Sequence, residues 1–534
     1  MKENPVIHSA QGYWADEPLP RSHMVFAAAA GTSSVALGLG VGYLLAPAVD
    51  RSSSPLQAVG SEVIDRMPEG LRESAIDAFG TADKTVLLVT IAAIMVVLAA
   101  GAGVAEYRRP PAGLVMVALV GTLGAAAAVA RPNASLGWAL PTIAGVVVAM
   151  LVLHWLIRAL HPRVGEPADH NDAHGDGSAT ATDRRRFLVR AGAVGGGAVL
   201  AGLGGVTVRR VSGGVGADRG AFAVPDASNP VTTQAPSIAQ VSSFITPNDD
   251  FYRIDTALVV PQVKSTSWSL RIHGMVDREI RLDLEQLQQD NSAFDAVITL
   301  TCVSNEVGGD LVGNATWTGY RLKDLLAAAG PSADADMVLS TSADGWTAGT
   351  PLTALTDGRD AMLAVGMNGE PLPLEHGYPV RMVVPGLYGY VSATKWVVSL
   401  EVTRFDRAKA YWTTLGWAEK GPIKTSSRID VPRTGSSLTS GPVTVGGVAW
   451  AQHRGIKGVQ VQVDDGPWND AELLDPNVID AWRLWRWQWD APSGEHRLRV
   501  RAIDGEGAAQ IESETPSVPD GATGLHSVEV QVRP

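Results

Sequence analysis

The chain runs to 534 residues, enough for several domains, and carries 43 basic side chains against 55 acidic ones, a formal charge of −12. An acidic chain without a concentrated basic face is unsuited to nucleic acid, whose phosphates reward clustered Lys and Arg. Its single cysteine, Cys302, excludes an intramolecular disulfide, a Cys-rich zinc site and a Cys-ligated iron–sulfur cluster, and no c-type haem motif occurs.

The amino-terminal part is rich in Ala, Val, Leu and Gly. Five apolar stretches, Met24–Val49, Thr85–Ala105, Ala112–Ala130, Trp138–Leu160 and Phe187–Val208, each approach the roughly 20 helical residues that cross a bilayer. Buried helices of a soluble bundle would carry a polar stripe at helical period, and almost none is visible. Arg108 and Arg109 follow the second stretch, and Arg158, Arg163 and Arg184 to Arg186 follow the fourth. The loop after the third has only Arg131, and the first loop mixes Arg51, Arg66, Arg72 and Lys84 with more acids than bases. By the positive-inside rule the amino terminus is cytoplasmic and everything after Val208 lies outside.

Asp183-Arg184-Arg185-Arg186-Phe187-Leu188-Val189, ahead of the glycine-rich Ala191–Gly205, resembles a twin-arginine signal. Such a signal implies export of an already folded protein. The plainer reading is three cytoplasmic arginines flanking an ordinary helix. The run Gly192 to Gly197 lacks the preceding strand that a dinucleotide loop needs. Among ionisable residues, only His154 is clearly embedded, with His23 and His161 at the cytoplasmic margin. A bis-histidine haem between the first and fourth helices is one reading and packing against a neighbouring helix the other, so anchoring is the default role.

Arg209–Gln240, rich in Gly, Ser, Pro and Ala, reads as a linker. Then come a strand over Ser267–Ile272, a short helix over Leu282–Gln289, and a buried strand over Ala296–Thr301 that leads into Cys302. Tyr320–Ala329 is amphipathic and stops at Gly330. From Val443 the pattern becomes strands and turns, Val443–Trp450, Val459–Val463, Trp485–Trp489, Arg497–Ile503 and His526–Val532, as in a β-sandwich. Trp485, Trp487 and Trp489 share one strand face, which suits a core or subunit interface more than a binding surface.

A lone cysteine where an apolar strand stops is either an inert core residue or a soft metal ligand. Its surroundings favour the ligand. Thr246-Pro247-Asn248-Asp249-Asp250-Phe251-Tyr252-Arg253 is followed by Thr299-Leu300-Thr301-Cys302 with Asn305, and by Trp317-Thr318-Gly319 before Leu322-Lys323-Asp324-Leu325-Leu326. Then come Ser342-Ala343-Asp344-Gly345, Thr350-Pro351-Leu352, and Met367-Asn368-Gly369-Glu370-Pro371-Leu372-Pro373. His376-Gly377-Tyr378-Pro379-Val380-Arg381, Val384-Pro385-Gly386 and Ala393-Thr394-Lys395-Trp396 close the series. This ordered set, over Val241–Val532, resembles the sulfite oxidase superfamily of molybdopterin-dependent oxidoreductases.

The apolar stretches give a five-helix membrane region over residues 1–208 and composition a linker over 209–240, and the resemblance implies a mixed α/β molybdopterin-binding catalytic domain over 241–430. An immunoglobulin-like β-sandwich of the dimerisation type would occupy 436–534, which allows a homodimer. It also implies a molybdenum–molybdopterin cofactor with Cys302 as metal ligand. Tyr252, Arg253, Thr341, His376, Arg381, Ala393, Thr394 and Lys395 fall at cofactor positions, and Trp317 and Trp346 at catalytic ones. Arg381, set among valines, is expected to be buried with an anionic partner.

Departures concern the substrate. Glu306 and Asp310 stand where sulfite oxidases have arginines, and Trp346 replaces a tyrosine beside the metal. The expected function is two-electron oxygen-atom transfer outside the cytoplasm on a sulfoxide or N-oxide rather than sulfite. The electron partner would be a quinone or cytochrome. The alternatives are a sulfite-oxidising enzyme, and a membrane-tethered binding or adhesion protein on a cofactor-free scaffold.

Overall fold

The computed structural model describes residues 21–50, 53–67, 78–79, 83–131, 134–160, 178–212, 214–229, 231, 234 and 237–534. Arg51, Arg72, His161 and Arg163 lie outside the described residues. The chain divides into two compact units, Met1–Ser212 and Gly213–Pro534.

The first unit is helical: α1 (Arg21–Leu45), α2 (Pro55–Arg66), α3 (Asp83–Arg108), α4 (Ala112–Val129), α5 (Leu140–Arg158) and α6 (Ser178–Ser212). Among the described residues, the spans His23–Ala48, Lys84–Arg108, Ala112–Val129, Leu136–Arg158 and Phe187–Thr207 are long and apolar enough to cross a membrane. Helix α1 packs against α3, α5 and α6. Its crossing with α3 depends on two glycines, since a Cβ on Gly31 would strike the Ala99 carbonyl and one on Gly103 the Ala27 carbonyl. Several polar groups here are satisfied by near neighbours, although the buried Thr142 hydroxyl has no partner among the described residues. Buried Glu106 accepts the Leu114 N–H (3.0 Å), one of the orphan donors at the start of α4. His23 Nδ1 is hydrogen-bonded with Tyr107 Oη at 2.9 Å. The glycine run from Gly192 to Gly197 lies inside α6.

The second unit opens with α7 (Val215–Ala221), a folded segment within what reads as a linker. Asp218 accepts from Tyr378 Oη (2.6 Å) and the Ser265 amide (2.8 Å), while Arg219 donates to the Leu372 and Pro371 carbonyls. Small-residue composition hides this docking, because two side chains carry it.

Strands and helices then alternate: β1 (Ser269–Gly274), β2 (Ile280–Asp283), α8 (Leu284–Asp290), β3 (Phe294–Thr301), β4 (Val312–Arg321), α9 (Leu322–Ala329), β5 (Met337–Ser342) and β6 (Thr347–Pro351). They continue through α10 (Leu352–Thr356), β7 (Met362–Met367), β8 (Glu370–Pro371), β9 (Arg381–Val383) and β10 (Val397–Thr403). One sheet runs β2-β1-β10-β5-β6, and a second runs β3-β4-β7-β8 with β9 also on β7. Helix α9 buries Leu322, Leu325, Leu326 and Ala329 at helical spacing. Gly330, at φ +69°, ends it in the left-handed conformation. Asp283 and Gln286 form a capping box, which starts α8 two residues later than Leu282.

The remaining strands are β11 (Ser426–Val431), β12 (Ser436–Thr439), β13 (Gly441–Trp450), β14 (Ile456–Val463), β15 (Trp468–Asp470), β16 (Glu472–Leu473), β17 (Arg483–Ala491), β18 (Gly494–Asp504) and β19 (Ser527–Arg533). They form the sheets β11-β13-β17-β16 and β12-β19-β18-β14-β15. Both contribute to one core, in which Trp485 and Trp489 are buried with Val461, Val500 and Val530. The shared indole face is therefore a core face, with Trp487 partly buried at its margin.

Candidate active site

Strand β3 is buried along nearly its whole length and pairs with β4 as far as Thr301–Val312, so Cys302 emerges at its end. The Cys302 amide donates to the Leu311 carbonyl (2.9 Å). Asn305 closes the turn twice, donating its amide to the Cys302 carbonyl (3.1 Å) and accepting the Leu311 N–H on Oδ1 (2.8 Å). The Cys-x-x-Asn spacing thus has a local structural reason. Burial raises the free thiol's pKa, against hydrogen bonds from Ser304 and the Val303 amide. A soft metal would hold the same sulfur as thiolate.

A cluster of buried polar groups faces the same neighbourhood. Arg381 is 3% exposed, with Nη1 donating to the His376 carbonyl (3.0 Å) and Nη2 to the Ala393 carbonyl (3.3 Å). Its guanidinium carbon lies 5.0 Å from the Trp317 ring centre. Trp317 is itself fixed by donation to the Ile298 carbonyl (3.1 Å) on β3. Among the described residues no carboxylate forms an ion pair with Arg381, and burial pushes its pKa down to about 10.

Lys395 Nζ donates to Asp255 Oδ2 (3.0 Å) and to the Glu375 carbonyl (2.9 Å). Burial first, then the Arg381 charge, lowers its pKa to about 8 against the opposing pull of Asp255. Arg253 Nε donates to that same Asp255 oxygen at 3.0 Å. His376 is buried, and burial with Lys395 and Arg381 lowers its pKa to about 3. A neutral ring follows, hydrogen-bonded through Nε2 to the Asn248 carbonyl at 3.3 Å. Gly377, at φ +110°, lets Arg381 and Lys395 approach, since a Cβ there would lie 3.0 Å from one and 3.1 Å from the other.

Tyr252 stacks on Phe251, whose ring edge meets both Trp317 and His376. Burial and the Cys302 charge raise the Tyr252 phenol far above its ordinary range, so Oη keeps its proton. A Cβ on Gly389 would touch Ala393 Cβ, the Thr301 carbonyl and Tyr252 Oη at 3.7 to 3.9 Å. That position is where the cysteine strand, the opening aromatic segment and the Ala393 loop meet. Thr394 is fully buried and bonded to Ser340 Oγ (2.7 Å).

Two expected residues stand apart from this network. Thr341 neighbours Ser340 on β5 but faces oppositely, paired with Ser399 and Thr347. Trp346 is half-buried in the β5–β6 turn, and its ring makes no described contact with Cys302, Arg381 or Lys395.

Comparison with known proteins reads directly on this geometry. Residues 257–412 match the family described as "Oxidoreductase molybdopterin binding domain". The uncharacterised oxidoreductase YuiH of Bacillus subtilis is 32% identical over 156 residues, which cover 29% of this chain and 75% of that protein. The chain belongs to the sulfite oxidase superfamily of molybdenum-dependent oxidoreductases. Mitochondrial sulfite oxidase of Homo sapiens is 28% identical over 331 residues, 52% of this chain. The chain spans 59% of the length of that relative. The sulfane dehydrogenase SoxCD of Paracoccus pantotrophus superposes with a TM-score of 0.47 at 23% identity, over 54% of this chain and 84% of that one.

Membership implies a molybdenum–molybdopterin cofactor in this oxidoreductase, and the donor set suits one. A buried arginine with no carboxylate ion pair among the described residues, a neutral imidazole and a lysine shared with an aspartate make a cationic, hydrogen-bonding cluster suited to an anion. Asp255, which orients both Lys395 and Arg253, was not visible as a site residue in the sequence. Its one signal is its place three residues after Tyr252, two past the end of the opening segment at Arg253. Gln452 and Arg428, which bond the cysteine strand and its loop from the C-terminal sheets, had no local signal.

Proposed function

We propose that this chain is a membrane-anchored molybdenum oxidoreductase that transfers oxygen atoms outside the cytoplasm, on a sulfoxide or N-oxide. The observation that carries the reading is a buried Cys302 at a strand end and a buried Arg381, both within electrostatic reach of Tyr252, with no carboxylate ion-paired to the arginine among the described residues. Cys302 would ligate the metal, while Arg381, Lys395, His376, Tyr252, Arg253 and the Ala393–Thr394 main chain would hold the pterin and its phosphate. A bound centre of this kind supplies exchange of one oxygen atom and two electrons with substrate. The protonated Tyr252 Oη offers a donor nearby. Reducing a sulfoxide consumes two electrons and two protons and yields sulfide and water, with electrons drawn from a quinol or cytochrome.

The substrate class rests on charge. Glu306 and Asp310, on the loop after Cys302, are exposed, and neither forms an ion pair among the described residues. One cation does reach this loop, Arg428, but Asp430 pairs with it at 2.6 Å. Opposed unit charges 4 Å apart are worth about 4 kcal/mol at an effective dielectric of 20, so replacing arginines by acids disfavours a dianion such as sulfite. A neutral oxide is spared that cost.

The five apolar helices support anchoring, and the arginine distribution supports a cytoplasmic amino terminus with the catalytic region outside. Arg185, exposed on α6 ahead of Phe187, suits a twin-arginine signal. The two C-terminal sheets, which share one core and begin at Ser426, ahead of the expected boundary at 436, suit an immunoglobulin-like domain that dimerises. The test is metal and pterin analysis of purified protein, followed by steady-state kinetics with sulfoxides, N-oxides and sulfite. About one molybdenum per chain with turnover of a neutral oxide is expected. Sulfite turnover at kcat/KM of roughly 10⁴ M⁻¹s⁻¹ or more would overturn the substrate class.

A further inference from the structure

The C-terminal sheets touch the cysteine segment at both flanks, by contacts that a merely attached domain would not need. Gln452, 1% exposed just past the end of β13, donates Nε2 to the Thr299 carbonyl (3.0 Å) and to Thr301 Oγ1 (3.1 Å). Thr301 is the residue before Cys302. On the other flank, Arg428 of β11 donates Nη1 to the Gly309 carbonyl (2.7 Å). Its fork is held by Asp430 Oδ1 (2.6 Å) and Ser242 Oγ (2.9 Å), so it arrives with its orientation set. His526 adds a steric stop, since any Cβ on Gly308, at φ +78°, would collide with its ring.

We propose that Gln452 and Arg428 are positioning residues for Cys302, so that the C-terminal sheets form part of the metal site. The inference rests on the reading of Cys302 as metal ligand. Outer groups that orient a ligand tune the metal, and their loss typically costs 10- to 100-fold in affinity or activity. Gln452 suits this role as a donor: its Nε2 serves two oxygens at once, while its buried Oε1 has no partner. Methionine at that position keeps the volume and loses both bonds. Lysine at 428 keeps the charge but cannot span three acceptors.

The experiment compares wild-type holoprotein with Gln452→Met, Arg428→Lys and Val459→Ala. The last opens a cavity in the core of the same sheets and so controls for lost thermal stability away from the cysteine segment. The readouts are molybdenum per chain, the Mo(V) electron paramagnetic resonance g-values and the metal midpoint potential. Gln452→Met and Arg428→Lys should each shift the g-values and potential, and lower turnover about 10-fold, with molybdenum retained. Val459→Ala should leave the signal at its wild-type position. Wild-type signals in both positioning variants, or an equal shift in Val459→Ala, would overturn the proposal. Should Gln452→Met not fold, Arg428→Lys carries the same comparison with the same outcomes. A wild type free of molybdenum defeats the metal reading itself, an outcome distinct from unchanged signals in loaded variants.

Discussion

Two deeply buried ionisable groups, one in each unit, are handled in opposite ways. In the helical unit a buried ionisable group is settled by its nearest neighbours, as Glu106 is by the Leu114 amide. In the C-terminal unit Arg381 is buried as deeply, yet its described partners are main-chain carbonyls, which leave its charge uncompensated. Burying a charge costs several kcal/mol unless a partner offsets it. The difference separates scaffold from site: polar groups satisfied in place support a structure, while an uncompensated buried cation is arranged for an anion.

The sharpest break of that contrast is Cys302→Ala. It removes the chain's single thiolate, and oxygen-transfer activity and the Mo(V) signal should both disappear in metal-replete protein. Arg381→Ala comes next. Losing one charge-assisted bond, worth about 1.5–3 kcal/mol, should lower cofactor affinity by roughly 10- to 100-fold, read as molybdenum per chain. Because Arg381 has no carboxylate partner among the described residues, the apoprotein should be destabilised less than when one member of an ion pair is removed.

A third effect is a pH dependence. His376 titrates near 3 in the folded protein against 6.5 unfolded, so between those values the unfolded chain binds the extra proton. Its contribution to stability is therefore complete above pH 6.5 and is lost as the pH falls toward 3. Thermal melts at pH 7 and pH 5 should differ more for wild type than for His376→Gln, and equal differences would remove His376 from the account. The smallest effect belongs to the helical unit. Glu106→Ala should cost about 1 kcal/mol through the lost cap on α4, seen as a modest fall in Tm in detergent, with molybdenum content unchanged.

Much of this protein was legible in its sequence where the signal is local. The Leu322, Leu325, Leu326 and Ala329 spacing with Gly330 beyond it placed α9, and five uninterrupted apolar runs placed the long helices. Cys302 stood out by its position after an apolar strand and by the ordered motifs around it. The docked helix Val215–Ala221 was read as linker because glycine and alanine dominate it, while Asp218 and Arg219 hold it in place. Trp346 was expected beside the metal, and the structure sets it in the β5–β6 turn without a described contact to Cys302, since a turn's sequence says little about what its side chains approach.

What the sequence determined by itself is therefore the long apolar helices, those strands and helices with a local signal, and the family, because periodicity, caps and short motifs depend on neighbours within a few residues. What only the tertiary structure decided is which groups share a space. Lys395 meets Asp255 across 140 residues, Arg428 meets Gly309 across 119, and Gln452 meets Thr299 across 153. No local pattern encodes such pairs. They exist because the strands close into sheets and the sheets pack, and their hydrogen bonds gain worth only once that packing has excluded water.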